Sequence, residues 1–115
     1  MKKLTTNCIG IDQGDMVMFS DFQDGGEMWT GTGPRERRRR VTFDEPFREV
    51  PSVHCALSMW DMDNGSNLRG DLETENIGRD GFDAVFKTWG DTRIARARIR
   101  WMAVGLVRGD GDWDV

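Results

Sequence analysis

The segment TWGDTRIARARIRWMAVG, Thr88 to Gly105, decides the fold class of this 115-residue chain. It predicts the end of one strand, a tight Gly-Asp turn and a long second strand. One face of that second strand is apolar and carries Ala95, Ala97, Ile99, Trp101 and Ala103. The other face carries Arg96, Arg98 and Arg100. Alternation with a period of two over this length indicates a β-strand, because successive side chains of a strand point to opposite faces.

Further alternating segments, separated by turn residues, extend this pattern along the chain. We predict strands at Asn7–Gln13 (an edge strand), Asp15–Phe22, Arg37–Phe43, Val53–Trp60, Asn67–Ile77 and Gly81–Trp89. The glycine-rich stretch 23–34 is predicted to be a loop, and no window has a convincing 3.6-residue period. Short strands with turn signals between them favour an all-β antiparallel sandwich or barrel. We expect a single domain over residues 1–107 and a flexible acidic tail over 108–115.

Charge and hydropathy limit the partners that this chain can have. The formal net charge of −4 at pH 7 argues against general nucleic-acid binding, which normally needs a basic surface. The arginine-rich run 35–40 is therefore predicted to be a solvated or ion-paired face. No segment has the length of a membrane span, so no membrane insertion is expected. The N-terminus has two lysines but no apolar segment. We therefore expect no secretory signal peptide. The protein would be synthesised in the cytoplasm, and it could then be released or attached to a particle.

The residues that usually carry chemistry are few. Cys8 and Cys55 are the two cysteines, and we expect them to be reduced, buried thiols. His54 is the single histidine and has no nucleophile–base pattern around it, so no catalytic function is predicted. The acidic loop 61–64 lacks the further ligands of a calcium loop. The sequence therefore predicts no enzyme, no metal site and no cofactor.

The row of three arginines in the last strand needs negative partners. The predicted strand 67–77 presents three acids on one face, namely Asp71, Glu73 and Glu75. If the two faces meet, across strands or across a subunit boundary, the carboxylates can bind the guanidinium groups in a bidentate manner. Exposed pairs of this kind contribute only about 0–1 kcal/mol each. If the same pairs were desolvated at an interface, they would determine which surfaces associate, and in which register, more than they would stabilise the contact.

Three sequence elements resemble the H-type lectins, the family of the snail agglutinin and of the C-terminal domain of discoidin. The elements are VTFDEPFREVPSV from Val41, ALSMWDMDNGSNLR from Ala56 and GFDAVFKTWGDTRIARARIRWMAVG from Gly81. The resemblance implies a six-stranded antiparallel β-sandwich that assembles as a homotrimer. It also implies shallow sites for galactose or N-acetylgalactosamine between neighbouring protomers. The acids and arginines described above then become candidate ion pairs of the trimer interface.

The resemblance carries two site residues over to this chain. Arg69 would hydrogen-bond sugar hydroxyls, since arginine supplies a rigid fork of donors. Trp89 would pack on the apolar face of the sugar from the adjoining subunit, since a flat ring suits the C–H face of a pyranose. Two alternatives stay open: Trp89 as an interface or core residue, and Arg69 as a member of an intersubunit ion pair.

At three positions the chain departs from the family pattern. Thr32 stands near the loop position of a sugar-binding aspartate in the snail agglutinin, Gly90 replaces a histidine and Ala95 replaces a tyrosine. Candidates to rebuild the site in a new form are Asp24, Glu27, Trp29 and Asp91.

The expected function is non-catalytic, multivalent binding of a glycan-covered surface. Three weak sites held rigidly on one face would gain avidity. The alternative is a structural or adaptor trimer, for example in a phage-like or other extracellular particle, with the lectin fold and no sugar site.

Overall fold

The computed structural model describes residues 1, 3 and 8–109, and this part of the chain contains six strands and one short helix. The elements are β1 (Ile9–Ser20), α1 (Glu27–Thr30), β2 (Arg35–Thr42), β3 (Ser52–Met62), β4 (Asp71–Glu75), β5 (Gly81–Thr88) and β6 (Ile94–Leu106). They form two three-stranded antiparallel sheets: sheet A, with the order β1-β6-β3, and sheet B, with the order β2-β5-β4. The predicted all-β, six-stranded antiparallel sandwich is confirmed.

Strand β6 lies at the centre of sheet A, and its side chains alternate as predicted. Ala97, Ile99 and Ala103 have no exposed surface, and Trp101 is 8% exposed. The intervening arginines are exposed. Burying one face of a central strand fixes its register, because a slip of one residue would bring the arginines into the core.

Aromatic rings fill one end of the space between the sheets. The ring of Phe43 lies 5.0 Å from Phe47, 6.0 Å from Phe82 and 5.9 Å from Trp101, measured between centroids. Each fully buried side chain of this size stabilises the fold by about 1.5–3 kcal/mol relative to an exposed one. On sheet A, Gly14 leaves room for the indole: a Cβ atom there would lie 3.1 Å from Trp101 Nε1.

Three predicted boundaries are wrong, each for a local physical reason. The first two predicted strands are one strand, β1, because Gly14 stays in register opposite Trp101 instead of breaking the ladder. Strand β4 is shorter than the predicted segment 67–77, since its ladder with β5 begins at Asp71 and ends at Glu75. The predicted loop 23–34 contains the one-turn helix α1, which is too short to leave a periodic signal.

The charged rows lie on different sheets, so their pairing across neighbouring strands is excluded. Within the chain, most of these acids and arginines form ion pairs with other residues. The pairs are Arg96–Asp61 (3.2 Å), Arg100–Asp15 (3.7 Å), Lys87–Glu73 (3.5 Å) and Arg38–Glu75 (2.9 Å). Arg98 makes no ion pair within the described residues. Pairing of the two rows across a subunit boundary stays a prediction.

Both cysteines, Cys8 and Cys55, are free thiols, and they are half-buried rather than buried. Burial nevertheless raises the pKa of the Cys55 thiol to about 11. Over the described ranges, no helix is long and apolar enough to cross a membrane. Most of the predicted acidic tail, from residue 110 onward, lies outside the described residues.

Candidate functional site

The turn between β5 and β6 presents Trp89 at one end of the sandwich. Strand β5 ends at Thr88, and Trp89 is the first residue beyond its ladder. Its side chain is 45% exposed, so it is not a core residue. A large aromatic side chain left this open on a rigid turn is available to a ligand or to another protomer.

Arg69 and Asp91 form the polar part of the site. The Arg69 guanidinium donates to Asp91 Oδ1 at 2.7 Å, and Asn67 Nδ2 lies 3.5 Å from the same oxygen. The bond from Arg69 holds the pKa of Asp91 below its usual range. Within the chain, Arg69 therefore pairs with the turn that carries Trp89. An intersubunit ion pair of Arg69 stays a prediction.

Two buried hydroxyl groups tie the Arg69 segment to the turn. Thr88 donates to the backbone carbonyl of Arg69 at 2.6 Å, and Thr92 donates to the carbonyl of Asn67. Both threonines have almost no exposed surface. The segment 67–70 has no strand ladder, and these bonds replace one.

Gly90 has a backbone that only glycine adopts readily, with φ at +70°. A Cβ atom at this position would lie 2.7 Å from Arg69 Nη1. The departure from the family pattern at Gly90 therefore has a structural consequence: the space above the turn is taken by the guanidinium of Arg69.

The loop that carries Thr32 lies against the same turn. The backbone N–H of Gly33 donates to the Gly90 carbonyl at 2.8 Å. Thr32, the preceding residue, is exposed. The structure therefore brings Thr32, Trp89, Arg69 and Asp91 to one end of the molecule.

Arg35 holds this arrangement together and is 6% exposed. Its guanidinium donates to the carbonyls of Glu27, Met28, Gly33 and Gly90 at 2.9–3.3 Å. Glu27 and Met28 are the first two residues of α1, and the Glu27 carbonyl also accepts the backbone N–H of Gly31 at 2.8 Å. The prediction of a solvated or ion-paired face is wrong for Arg35, because local charge patterning does not reveal bonds to distant carbonyls.

A second buried contact fixes the start of the same loop. Asp21 is 5% exposed and accepts two bonds from Arg37, at 3.1 and 2.7 Å. Asp21 also accepts a hydrogen bond from the backbone N–H of Met28 at 3.0 Å. A Cβ atom at Gly26 would collide with the Asp21 carboxylate. The sequence signal that could have identified this contact is the aspartate directly after β1, followed by two glycines.

The remaining candidates differ in their exposure and contacts. Asp24 and Glu27 are exposed, and Ala95 is buried. Trp29 packs against Phe22 and Arg93. A cavity of about 280 Å³ opens beside Trp89 and is lined by residues of β2 and β5 such as Glu36 and Lys87. Arg69 and Asp91 are not among its lining residues.

No group of three or more His, Cys, Asp or Glu side chains that could hold a metal ion occurs within residues 8–109. The site offers a flat ring, a guanidinium and a carboxylate.

The chain has relatives among known proteins. Residues 38–104 match the family described as the H-type lectin domain. A protein of Fuscovulum blasticum named ATP synthase subunits region ORF 7 is 59% identical over 107 residues, which cover 93% of each chain. Discoidin-2 of Dictyostelium discoideum is 36% identical over 77 residues, which cover 65% of this chain and 30% of discoidin-2.

A solved structure of recombinant discoidin II of Dictyostelium discoideum has the same fold. It superposes with a TM-score of 0.76 at 24% sequence identity, covering 94% of this chain and 41% of that one. The chain thus spans less than half the length of the discoidins that it matches.

Proposed function

Because the chain belongs to the H-type lectin domain family, we propose that it is a non-catalytic carbohydrate-binding protein whose site lies at the turn between β5 and β6. The observation that carries the proposal is the exposed Trp89 beside the ionised pair of Arg69 and Asp91. The family and its fold are non-catalytic.

The chemistry of these groups suits a neutral sugar. The indole of Trp89 supplies a flat apolar surface for the C–H face of a pyranose ring. Arg69 keeps N–H groups that are not used by Asp91, and the carboxylate keeps free lone pairs. The pair can therefore donate to and accept from neighbouring hydroxyls without being separated. Galactose or N-acetylgalactosamine is the proposed ligand, with Thr32 at the margin of the site.

The geometry within one chain supports sites that are shared between protomers. Trp89 opens into a cavity that Arg69 and Asp91 do not line. A ligand held by all three side chains is more easily built from Trp89 of one protomer and Arg69 of the next. This is the arrangement that the proposed homotrimer provides.

The outer face of sheet A is the proposed contact surface of the trimer. Three exposed apolar side chains, Ile11, Val17 and Met102, lie on it. Arg98 sits in register between Val17 on β1 and Met59 on β3. An arginine without an ion pair among apolar neighbours is suited to a carboxylate of another protomer. Asp71, Glu73 and Glu75 face outward on sheet B, and they are the proposed partners.

Light scattering tests the trimer. We expect Arg98→Glu to reduce the mass from that of a trimer toward that of a monomer. Arg39→Glu is the matched control, because Arg39 is exposed on sheet B and makes no ion pair within the described residues. An Arg98→Glu protein with unchanged mass and melting temperature would rule out the charged contact.

A glycan array tests the function. Three sites on one rigid particle bind a dense glycan surface far more tightly than one site binds a free sugar. We expect discrete signals for glycans that end in galactose or N-acetylgalactosamine. A blank array with an intact trimer would instead support a structural or adaptor particle with the lectin fold and no sugar site.

A further inference from the structure

A second groove lies at the same end of the molecule, on the side of sheet A. Its volume is about 490 Å³, and it shares no lining residue with the cavity beside Trp89. Phe22 and Trp29 come from the loop after β1, and Asp61 and Asp63 come from the end of β3. Arg96, near the start of β6, also lines the groove. Trp29 and Ala95, which also lines the groove, are positions of the predicted sugar site, whereas Phe22, Asp61 and Asp63 are not.

The groove contains an open aromatic surface on a rigid support. Phe22 is 58% exposed, and its ring meets the edge of Trp29 with 5.0 Å between centroids. The guanidinium of Arg93 lies over the indole of Trp29, 4.2 Å from the ring. Arg93 also donates to the Trp29 carbonyl at 3.0 Å. Trp29 is thus held by Phe22 and by Arg93. The exposed ring of Phe22 packs against it and can contact an apolar face of a ligand.

Each carboxylate of the groove is paired with an arginine, although only Arg96, and not Arg93, lines the groove itself. Arg96 donates to Asp61 at 3.2 Å, and Arg93 lies 3.4 Å from Asp63. An ionic ligand would have to compete with one member of each pair. A neutral ligand with several hydroxyls would not, because the carboxylates keep free lone pairs and the guanidinium groups keep free N–H donors. The charge pattern therefore favours a neutral polyhydroxyl compound.

The loop that carries Phe22 is already held in place. The backbone N–H groups of Asp21 and Phe22 donate to the Ala95 carbonyl at 2.7 and 3.2 Å. The buried Asp21 is fixed in turn by Arg37. Binding therefore does not have to order this loop, which is the entropic cost that usually weakens shallow sites.

From this arrangement we infer that the groove between Phe22 and Asp61 is a second carbohydrate site, which takes a neutral pyranose. The C–H face of the sugar packs on Phe22, and its hydroxyls bond to Asp61, Asp63 and Arg96. The site is complete within one chain, whereas the proposed Trp89 site needs two protomers. The inference names sugar-binding residues other than Trp89, Arg69 and Asp91, so the two sites can be tested separately. Arg96 lies on the face of sheet A that the proposed trimer contact uses, and the inference requires the groove to stay open beside that contact.

Nuclear magnetic resonance of the labelled protein tests the inference. The probes are the methyl glycosides of galactose, glucose, mannose and N-acetylgalactosamine, each titrated separately. A single shallow site binds one sugar with a Kd of about 1–10 mM, so titration must reach that range. We expect at least one glycoside to shift the Phe22 amide and the Trp29 indole signal together.

Variants separate the two sites. Phe22→Ala should weaken glycoside binding at the groove by about tenfold in Kd, because it removes the ring surface. Phe22→Tyr keeps the ring and should keep the affinity. Trp89→Ala should leave the affinity unchanged, because Trp89 lies in another cavity. Phe22 is exposed, so its truncation leaves the core intact.

Three results would overturn the inference. The first is no shift at Phe22 and Trp29 with any of the four glycosides. The second is a response that Trp89→Ala abolishes and Phe22→Ala does not, which would leave only the proposed function standing. The third is a change of mass in Phe22→Ala, which would identify the groove as a contact between protomers. A response at Phe22 with none at Trp89 would support the inference while removing the proposed function.

Discussion

The guanidinium of Arg69 lies over Gly90, so that a Cβ atom at position 90 would be 2.7 Å from Arg69 Nη1. The glycine has φ at +70° and allows Arg69 to reach Asp91 at 2.7 Å. The absence of a side chain at Gly90 therefore allows the arginine–aspartate pair to form over the turn, and this pair is what a ligand at the turn can meet.

Replacing Gly90 tests this relationship. Gly90→Ala places a Cβ atom on a backbone with positive φ and displaces Arg69, so we expect a loss of about 1–3 kcal/mol in the free energy of unfolding. Gly33→Ala is the matched control, because Gly33 has φ at +75° but no atom within 4 Å of the added Cβ. Chemical denaturation measures both. Equal losses in the two variants would mean that the Arg69 contact contributes nothing.

Arg35 offers a second test, because it is buried and bonded to distant carbonyls. Arg35→Ala removes the donors for carbonyls of α1 and of Gly90 and leaves a cavity. We expect a loss of about 3 kcal/mol in stability. Arg39→Ala, at an exposed position, should change stability by less than about 0.5 kcal/mol. Thermal melts compare the two, and a similar small effect of both would refute the role given to Arg35.

The thiol of Cys55 predicts a pH dependence. Burial raises its pKa from 9.0 to about 11, so the unfolded chain releases this proton at lower pH than the folded one. The stabilisation is therefore fully present below pH 9 and is lost as the pH rises toward about 11. Unfolding experiments across this range should show a shallower decline for Cys55→Ala than for the unchanged protein. Parallel curves for the two proteins would contradict the raised pKa.

The sandwich could be predicted from the sequence because the residues of its central strand are apolar on one face and charged on the other. Ala97, Ile99 and Trp101 alternate with arginines over a length that no helix or loop would produce. The boundary predicted at Gly14 was wrong, because a glycine typical of a turn instead makes space for an indole. A single sequence carries no local sign of such a contact.

The candidate site was predictable only in part. Trp89 and Arg69 follow from the resemblance, and the structure places both at one end of the molecule. The groups that hold the site, Arg35 and Asp21, act through bonds to residues far along the chain. Charge patterning is a local property, so it placed Arg35 in a solvated or ion-paired run. The groove at Phe22 depends on packing between two loops and has no sequence signature.

The central claim is that Trp89 binds carbohydrate. Surface plasmon resonance on a surface coated with galactose and N-acetylgalactosamine tests it most directly, together with light scattering of each variant. We predict binding by the unchanged protein and weaker binding by Trp89→Phe, all with the same mass. For Trp89→Ala we predict no more than the weak binding that the separate groove at Phe22 supplies. Undiminished binding by Trp89→Ala would contradict the claim. A Trp89→Ala protein that dissociates would show that Trp89 is an interface residue instead.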